Sequence, residues 1–323
     1  MRRDKRIRTG LIVLAAIGLV AIALNVLAYK HARAMLYFSE SGTQTVSPES
    51  MSFLDKASTL FTGVDAARPL SSASDSALLG FQQFLISINP DLYLGAALFA
   101  QPDTADLVLL FHGYRADKFA LLHEARAFAE LGYSTLLIDF RGSGSSSEAY
   151  TSVGYDEAED VVAAIQYARK NIPHSRLFIF GQSMGAAAVL RAVKEFQIQP
   201  TALILESVFD RMLSTVENRF SIMNAPSFPS AQLLLFWGGR QMNFDGFSHN
   251  PIDYAEFVKS PVLFLHGELD QRAKLSEAQA VFQNIPVSIR KNFHVFDNAK
   301  HVSFVKQYPE EWKDQIRRFL NTT

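Results

Sequence analysis

The chain has no cysteine among its 323 residues. That absence excludes a disulfide framework, a thiolate nucleophile and any cysteine-ligated zinc. Net charge is nearly absent as well: 31 Lys and Arg stand against 32 Asp and Glu, for a formal charge of -1. A nucleic-acid binder needs a basic face to neutralise phosphates, and this balance argues against one. There is no H-E-x-x-H and no paired histidine spacing, so no metal is implied, and nothing calls for an organic cofactor. Internal repeats are lacking too. What the chain has in quantity is apolar: 48% of residues are hydrophobic and 26 are Phe. That is enough for a sizeable core in one large domain or two small ones, and it leaves no room for wholesale disorder.

The N-terminus is the one non-globular feature. Arg2, Arg3, Lys5, Arg6 and Arg8 precede a run from Thr9 to Tyr29 that carries no charge. As a helix, that run spans about 31 Å, close to the ~30 Å hydrocarbon core of a bilayer. A core helix would not be apolar on every face. A cleaved signal peptide is the rival reading, with Val26-Leu27-Ala28 as the cleavage site and secretion as the outcome. The run exceeds the usual signal core of ~7–15 residues, so residues 1–30 are expected to be a basic flank and a transmembrane anchor. The basic cluster before the span outweighs Lys30 and Arg33 after it. The N-terminus is therefore expected in the cytoplasm and the remainder outside it, in the periplasm if the source is a Gram-negative bacterium.

Residues 31–80 read as a juxtamembrane segment. Ser47-Pro48-Glu49 is an N-cap, a first-turn proline and an early acid, predicting a helix through Phe53, Leu54, Ala57 and Leu60 to Gly63. Arg68 to Asp75 reads as a linker. From Phe81 the pattern becomes strands alternating with helices, and residues 81–323 are expected to form the main domain. Phe81–Ile88 and Tyr93–Phe99, joined by Asn89-Pro90-Asp91, predict a β-hairpin. Apolar runs of strand length follow at Leu107–Phe111, Tyr133–Ile138, Leu177–Phe180, Ala202–Leu205 and Val262–Leu265, with a last strand in Val287–Phe296. Helices are predicted over Phe119–Leu131, Tyr155–Asn171, Met184–Phe196 and Pro309–Leu320. The fold class is thus α/β, a mostly parallel sheet covered by helices on both faces. Residues 207–259 break this rhythm and are expected to be a helical lid insertion. Aromatic residues there, among them Phe228 and Phe236, either pack on the core or line an acyl-binding pocket.

Gly181-Gln182-Ser183-Met184-Gly185 matches G-x-S-x-G between a strand and a helix. The turn is so tight that flanking side chains would clash, and it lifts the Ser183 hydroxyl above the sheet edge. A serine hydroxyl needs a base, and His301 follows the last strand; His294 is a competitor within strand-like sequence. Asp270, after a strand and a glycine-containing turn, fits the acid that fixes the imidazole. Glu268 and Glu206 are the alternatives. The tetrahedral oxyanion needs two N–H donors. Met184 supplies one from its main chain, and Tyr114 the other, with Gly113 expected to take an unusual backbone angle. His112 and His266, each before a glycine at a strand end, are expected to orient loops.

HGY at 112–114, DFRGSGSS at 139–146, GQSMG at 181–185, HGELD at 266–270 and the late His301 together resemble the α/β-hydrolase superfamily. The similarity covers residues 81–320. More narrowly, the chain resembles its single-pass membrane-anchored serine hydrolases, many of them esterases, thioesterases or lysophospholipid lipases. The resemblance implies a structural loop at Asp139 and Arg141, and Ser183 in place of Asp disfavours a haloalkane dehalogenase. It names no substrate. The expected activity is cleavage of carboxylic esters or thioesters, acyl or lipid-like, through an acyl-Ser183 intermediate. The expected partners are a small-molecule or lipid ester and the membrane, without nucleic acid. The alternatives are a peptidase or acyltransferase with the same triad, or a non-catalytic membrane scaffold.

Overall fold

Aliphatic runs of strand length, separated by Gly-, Pro- and Asn-containing turns, set the sheet. The computed structural model describes residues 2–39, 52, 54–55, 66–70, 79–102 and 105–322. Eight strands among them form one sheet in the order β1-β2-β4-β3-β5-β6-β7-β8. They are β1 (Phe81–Ser87), β2 (Tyr93–Phe99), β3 (Leu107–Phe111), β4 (Ser134–Ile138), β5 (Leu177–Gln182), β6 (Ala202–Glu206), β7 (Val262–Gly267) and β8 (Lys291–Phe296). β1 and β2 are the expected hairpin, Phe81 opposite Phe99. Its turn is held by the Asn89 side chain, which accepts the N–H groups of Asp91 and Leu92. β2 runs antiparallel to β4, and every later pairing is parallel. β3, β4, β6 and β7 are buried throughout, as a sheet covered on both faces demands.

The helices are α1 (Arg2–Leu36), α2 (Leu122–Glu130), α3 (Glu157–Asn171), α4 (Met184–Phe196), α5 (Met212–Ile222), α6 (Ser230–Gln241), α7 (Pro251–Ala255), α8 (Leu275–Asn284), α9 (Phe304–Gln307) and α10 (Pro309–Leu320). Val161, Ile165 and Leu190 of α3 and α4 pack with Leu109, Phe111 and Ile179 on one face of the sheet. Phe128 and Trp312 of α2 and α10 pack with Val108, Phe178 and Phe180 on the other. The parallel pairing of β3 to β8 puts the carboxyl ends of those six strands at one edge, where the loops bearing Tyr114, Ser183, Asp270 and His301 begin.

Several boundaries differ from expectation for local reasons. β8 starts at Lys291 because Pro286 opens a turn, closed by the Ile289 N–H on its carbonyl, that leaves Val287 96% exposed. Residues 118–121 form a tight 3-10 turn before α2, capped by the Asp117 carboxylate on the Phe119 N–H. The helix expected from Ser47 to Gly63 falls outside the described residues apart from Ser52, Leu54 and Asp55. Of the expected linker, residues 71–75 fall outside as well. Arg68 is no free linker residue, since its guanidinium donates to the carbonyls of Gly144, Ser146 and Glu148.

α1 runs unbroken across the boundary expected at residue 30. Lys30, His31 and Arg33 do not break a helix, and beyond them Ala32 and Leu36 are buried beneath Gly238 of α6. Its earlier half is bare: Ile12 and Leu19 are 69% and 68% exposed. Among the described residues it is the one helix long and apolar enough to cross a membrane. The interval 207–259 folds as α5, α6 and α7 with no strand. It touches the rest of the domain through Leu235, clustered with Ala187 and Ala273, and through Phe244, stacked on Tyr155 at 4.0 Å. Phe228 and Phe236 face outward rather than line an enclosed pocket.

Candidate active site

β5 delivers Ser183 to the sheet edge, and the turn into α4 holds it at φ 53°, a conformation uncommon for a residue with a side chain. Such strain persists only where neighbours enforce it. Here the Ser183 N–H is fixed by the Glu206 carbonyl at 2.8 Å, and its own carbonyl starts α4 by accepting from Ala187. The flanking glycines are steric necessities. A Cβ on Gly185 would sit 2.2 Å from the Phe111 carbonyl oxygen, and one on Gly181 would sit 2.9 Å from Ala186.

The acid and the base arrive on adjacent loops. After β7, the turn through Gly267 buries Asp270, whose Oδ1 accepts the N–H groups of Arg272 and Ala273 at 2.8 and 3.0 Å. After β8, the loop bearing His301 is sewn to the acid loop. The Leu269 N–H donates to the Ala299 carbonyl, and the Asn298 N–H donates to the Glu268 carboxylate. This brings His301 Nδ1 to 2.7 Å from Asp270 Oδ2. Burial pushes the Asp270 carboxyl up, but the hydrogen bond and charge of His301, with the Ala273 N–H and His266, outweigh it and hold it below the usual range. With Nδ1 engaged, Nε2 is the nitrogen left for a nucleophile. No hydrogen bond joins Ser183 to His301 among the described residues.

The loop after β3 lies against the elbow: a Cβ on Gly113 would be 3.6 Å from Ser183 Cβ. Among the described residues, the main-chain N–H groups of Tyr114 and Met184 have no hydrogen-bond acceptor, so both are open donors beside the serine. One expectation is corrected. Gly113 does not take a left-handed angle; that conformation falls to Arg115, at φ 56°. The Tyr114 phenol donates to the Met35 carbonyl of α1 at 2.6 Å.

Neither alternative acid meets His301. Glu268 is exposed and braces Asn298. Glu206 is buried beneath the elbow, accepting from the Gln182 amide at 2.8 Å and the Trp312 indole at 3.3 Å. Burial, reinforced by nearby Glu124, pushes its carboxyl up to about 8, favouring the neutral form. His294 pairs with Glu311 on α10. His112 is fully buried and bridges its own loop to β4's exit, one nitrogen on the Gly113 carbonyl and the other accepting the Phe140 N–H. His266 donates to the Ala273 carbonyl behind Asp270. Burial lowers the pKa of both rings. Asp139 receives Lys118 at 2.6 Å and the Ser145 N–H, and Arg141 forks onto Asp160, so both are structural. Sequence reasoning missed Ser303, which donates to buried Glu124, although its place two residues after His301 marked it for inspection. It also missed the contact between α1 and the Tyr114 loop.

Residues 102–258 match the Hydrolase_4 family, described as serine aminopeptidase, S33. An uncharacterised protein of Mycobacterium tuberculosis is 27% identical over 327 residues, covering 99% of this chain and 97% of its own. The uncharacterised protein YqkD of Bacillus subtilis is 22% identical over 231 residues, covering 69% and 73%. Among solved structures, the Pyrococcus furiosus esterase Pf2001 superposes with a TM-score of 0.65 at 23% identity, covering 79% of this chain and 96% of that one. The fold is that of the α/β-hydrolases.

Proposed function

We propose that this chain, a member of the α/β-hydrolase superfamily, cleaves carboxylic esters or thioesters of acyl or lipid-like substrates through an acyl-Ser183 intermediate. The observation that carries the reading is the pairing of His301 with Asp270 at the same sheet edge as the strained Ser183. In the proposed reaction, His301 Nε2 takes the Ser183 proton as Oγ attacks the carbonyl carbon. The carbonyl oxygen becomes an oxyanion between the N–H groups of Tyr114 and Met184. Collapse breaks the ester bond, the imidazolium protonates the departing alcohol or thiol, and water repeats the sequence to free the acid. Asp270 fixes the tautomer and stabilises the imidazolium. A fluorophosphonate probe should label the wild type and leave Ser183→Ala unlabelled. An unlabelled wild type that also hydrolyses no acyl ester of any chain length would end this reading.

A second reading, amide-bond cleavage by the same groups, is favoured by the description of the family matched by residues 102–258. Aminoacyl anilides in the substrate panel separate the two: turnover of anilides above esters selects the peptidase.

α1 is proposed as an uncleaved single-pass anchor, with the N-terminus cytoplasmic, the catalytic domain extracytoplasmic, and α5–α7 as a lid beside it. Supporting this, the helix is continuous through Val26-Leu27-Ala28 and Ala28 is buried. Upstream of that cleavage site, the Asn25 side chain receives the Trp237 indole N–H at 3.1 Å. A chain released at Tyr29 would lose that partner.

A further inference from the structure

The last four carbonyls of any helix lack partners within it and must find them elsewhere. At the carboxyl end of α1 all four are accounted for. The Arg33 carbonyl takes the Tyr37 N–H at 2.9 Å, closing the helix on its own chain. The other three are met by loops of the catalytic domain. The Arg115 guanidinium donates to the Ala34 carbonyl at 3.2 Å, and the Tyr114 phenol to that of Met35 at 2.6 Å. The Thr151 N–H donates to that of Leu36 at 2.8 Å. A cationic guanidinium also suits the negative end of a helix.

These partners adjoin both arms of the proposed oxyanion hole. Tyr114 carries one open N–H. Thr151 is buried, and its hydroxyl touches the Sδ of Met184, bearer of the other, at 3.5 Å. Arg115 sits at φ 56°, a strained angle next to the donor. Its guanidinium is tied to Ala34 and lies over the Tyr114 ring at 5.3 Å, so α1 helps to enforce that angle. Past the helix the clamp continues, with the Phe38 N–H on the Ala149 carbonyl and Tyr37 bridged to Tyr150. On its far side α1 is seated on α6 through Trp237 and Gly238.

We infer that the carboxyl end of α1, Ala34 to Leu36, is a positioning element of the oxyanion hole, reached through the side chains of Tyr114 and Arg115 and the main chain of Thr151. It rests on the reading of Tyr114 and Met184 as oxyanion donors. The helix that would tether the protein is then also part of what sets its turnover, and a displaced α1 leaves the triad intact but the hole misaligned. Oxyanion donors act on the transition state rather than on the bound substrate.

The test uses the full chain in detergent micelles, with p-nitrophenyl butyrate as substrate and an alkyl trifluoromethyl ketone as tetrahedral analogue. Tyr114→Phe keeps the main-chain N–H and the ring but removes the bond to Met35. It is expected to lower kcat about tenfold with KM within about twofold, and to weaken the ketone by the same factor as kcat. Gly238→Leu presses on the same helix end from the other side, since even a Cβ there lies 3.6 Å from Leu36 Cδ1. It should give the same signature, and the double variant should lose little more than either single one, because both act through one element. Wild-type kcat and ketone affinity in folded Tyr114→Phe would overturn the inference, as would losses that multiply in the double variant. A wild type that turns over no ester overturns the hydrolase reading itself, and this inference with it.

Discussion

The carboxyl of Glu206 accepts the Gln182 amide at 2.8 Å, and its main-chain oxygen accepts the N–H of Ser183, the next residue along. A group read from the sequence as a rival triad acid is thus a strut beneath the nucleophile. Burial and the nearby Glu124 favour its neutral form, pushing its carboxyl up to about 8 from 4.5.

That shift has a consequence for stability. Between about pH 4.5 and 8 the unfolded chain releases this proton and the folded chain keeps it, so stability falls as pH rises across the window, by about 1.4 kcal/mol per unit at the steepest. Asp160 and Glu277, pushed up to about 6 and about 7, act in the same direction. Glu206→Gln cannot ionise. Its Tm should therefore drop less between pH 5 and pH 8 than that of the wild type, whatever its absolute value. Parallel Tm curves for the two proteins would refute the protonated Glu206.

The two acids on the loop after β7, Asp270 and Glu268, make separable predictions. Asp270→Asn replaces an acceptor of the His301 Nδ1–H with an amide that also fits the wrong tautomer, and should lower kcat by roughly 10³-fold or more. Ser183→Ala and His301→Ala should fall at least as far, since such groups act as a unit. All three should keep a cooperative melt. Glu268→Gln leaves the His301 contact in place and should stay within about tenfold of wild type. A larger loss in Glu268→Gln than in Asp270→Asn would reverse the assignment.

Gly185 tests the elbow as a steric device. With its added Cβ 2.2 Å from the Phe111 oxygen, Gly185→Ala must push α4 or β3 aside. The expected cost is about 2–4 kcal/mol, read as a lower midpoint in denaturant, together with a loss of turnover as Ser183 shifts. Gly132, whose Cβ would meet nothing within 4 Å but whose φ is 90°, gives the contrast. There an alanine meets only backbone strain, and turnover should persist.

What the sequence made legible were features governed by local rules. The elbow glycines, the strand–turn–acid at Asp270 and the uncharged run of α1 each follow from a few neighbouring residues. The parallel sheet followed because buried strands read as continuous apolar runs. What it hid depends on partners far apart in the chain: Trp237 meets Asn25 across 212 positions, and Tyr114 meets Met35 across 79. No pattern within α1 announces that its end is capped by the Tyr114 loop. The angle misassigned to Gly113 shows the same limit at short range, since the left-handed conformation falls at Arg115, whose guanidinium reaches α1.

The docked end of α1 sharpens the prediction for the anchor. In a bacterial host the full chain should pellet with membranes, resist high salt and carbonate, and leave them only with detergent, because the exposed apolar side chains of the helix need lipid around them. A C-terminal reporter that works only after export should be active. Two truncations then separate tethering from seating. Deleting residues 1–22 removes most of the bare helix but keeps Asn25, Tyr29 and the capped carbonyls, and should give a soluble enzyme active on short esters. Deleting residues 1–38 removes the caps and should give a soluble protein with depressed kcat. Intact mass of the full-length product decides whether the helix stays. A mature chain beginning at Tyr29 would mean that the segment is a signal peptide, and the anchor would have to be given up.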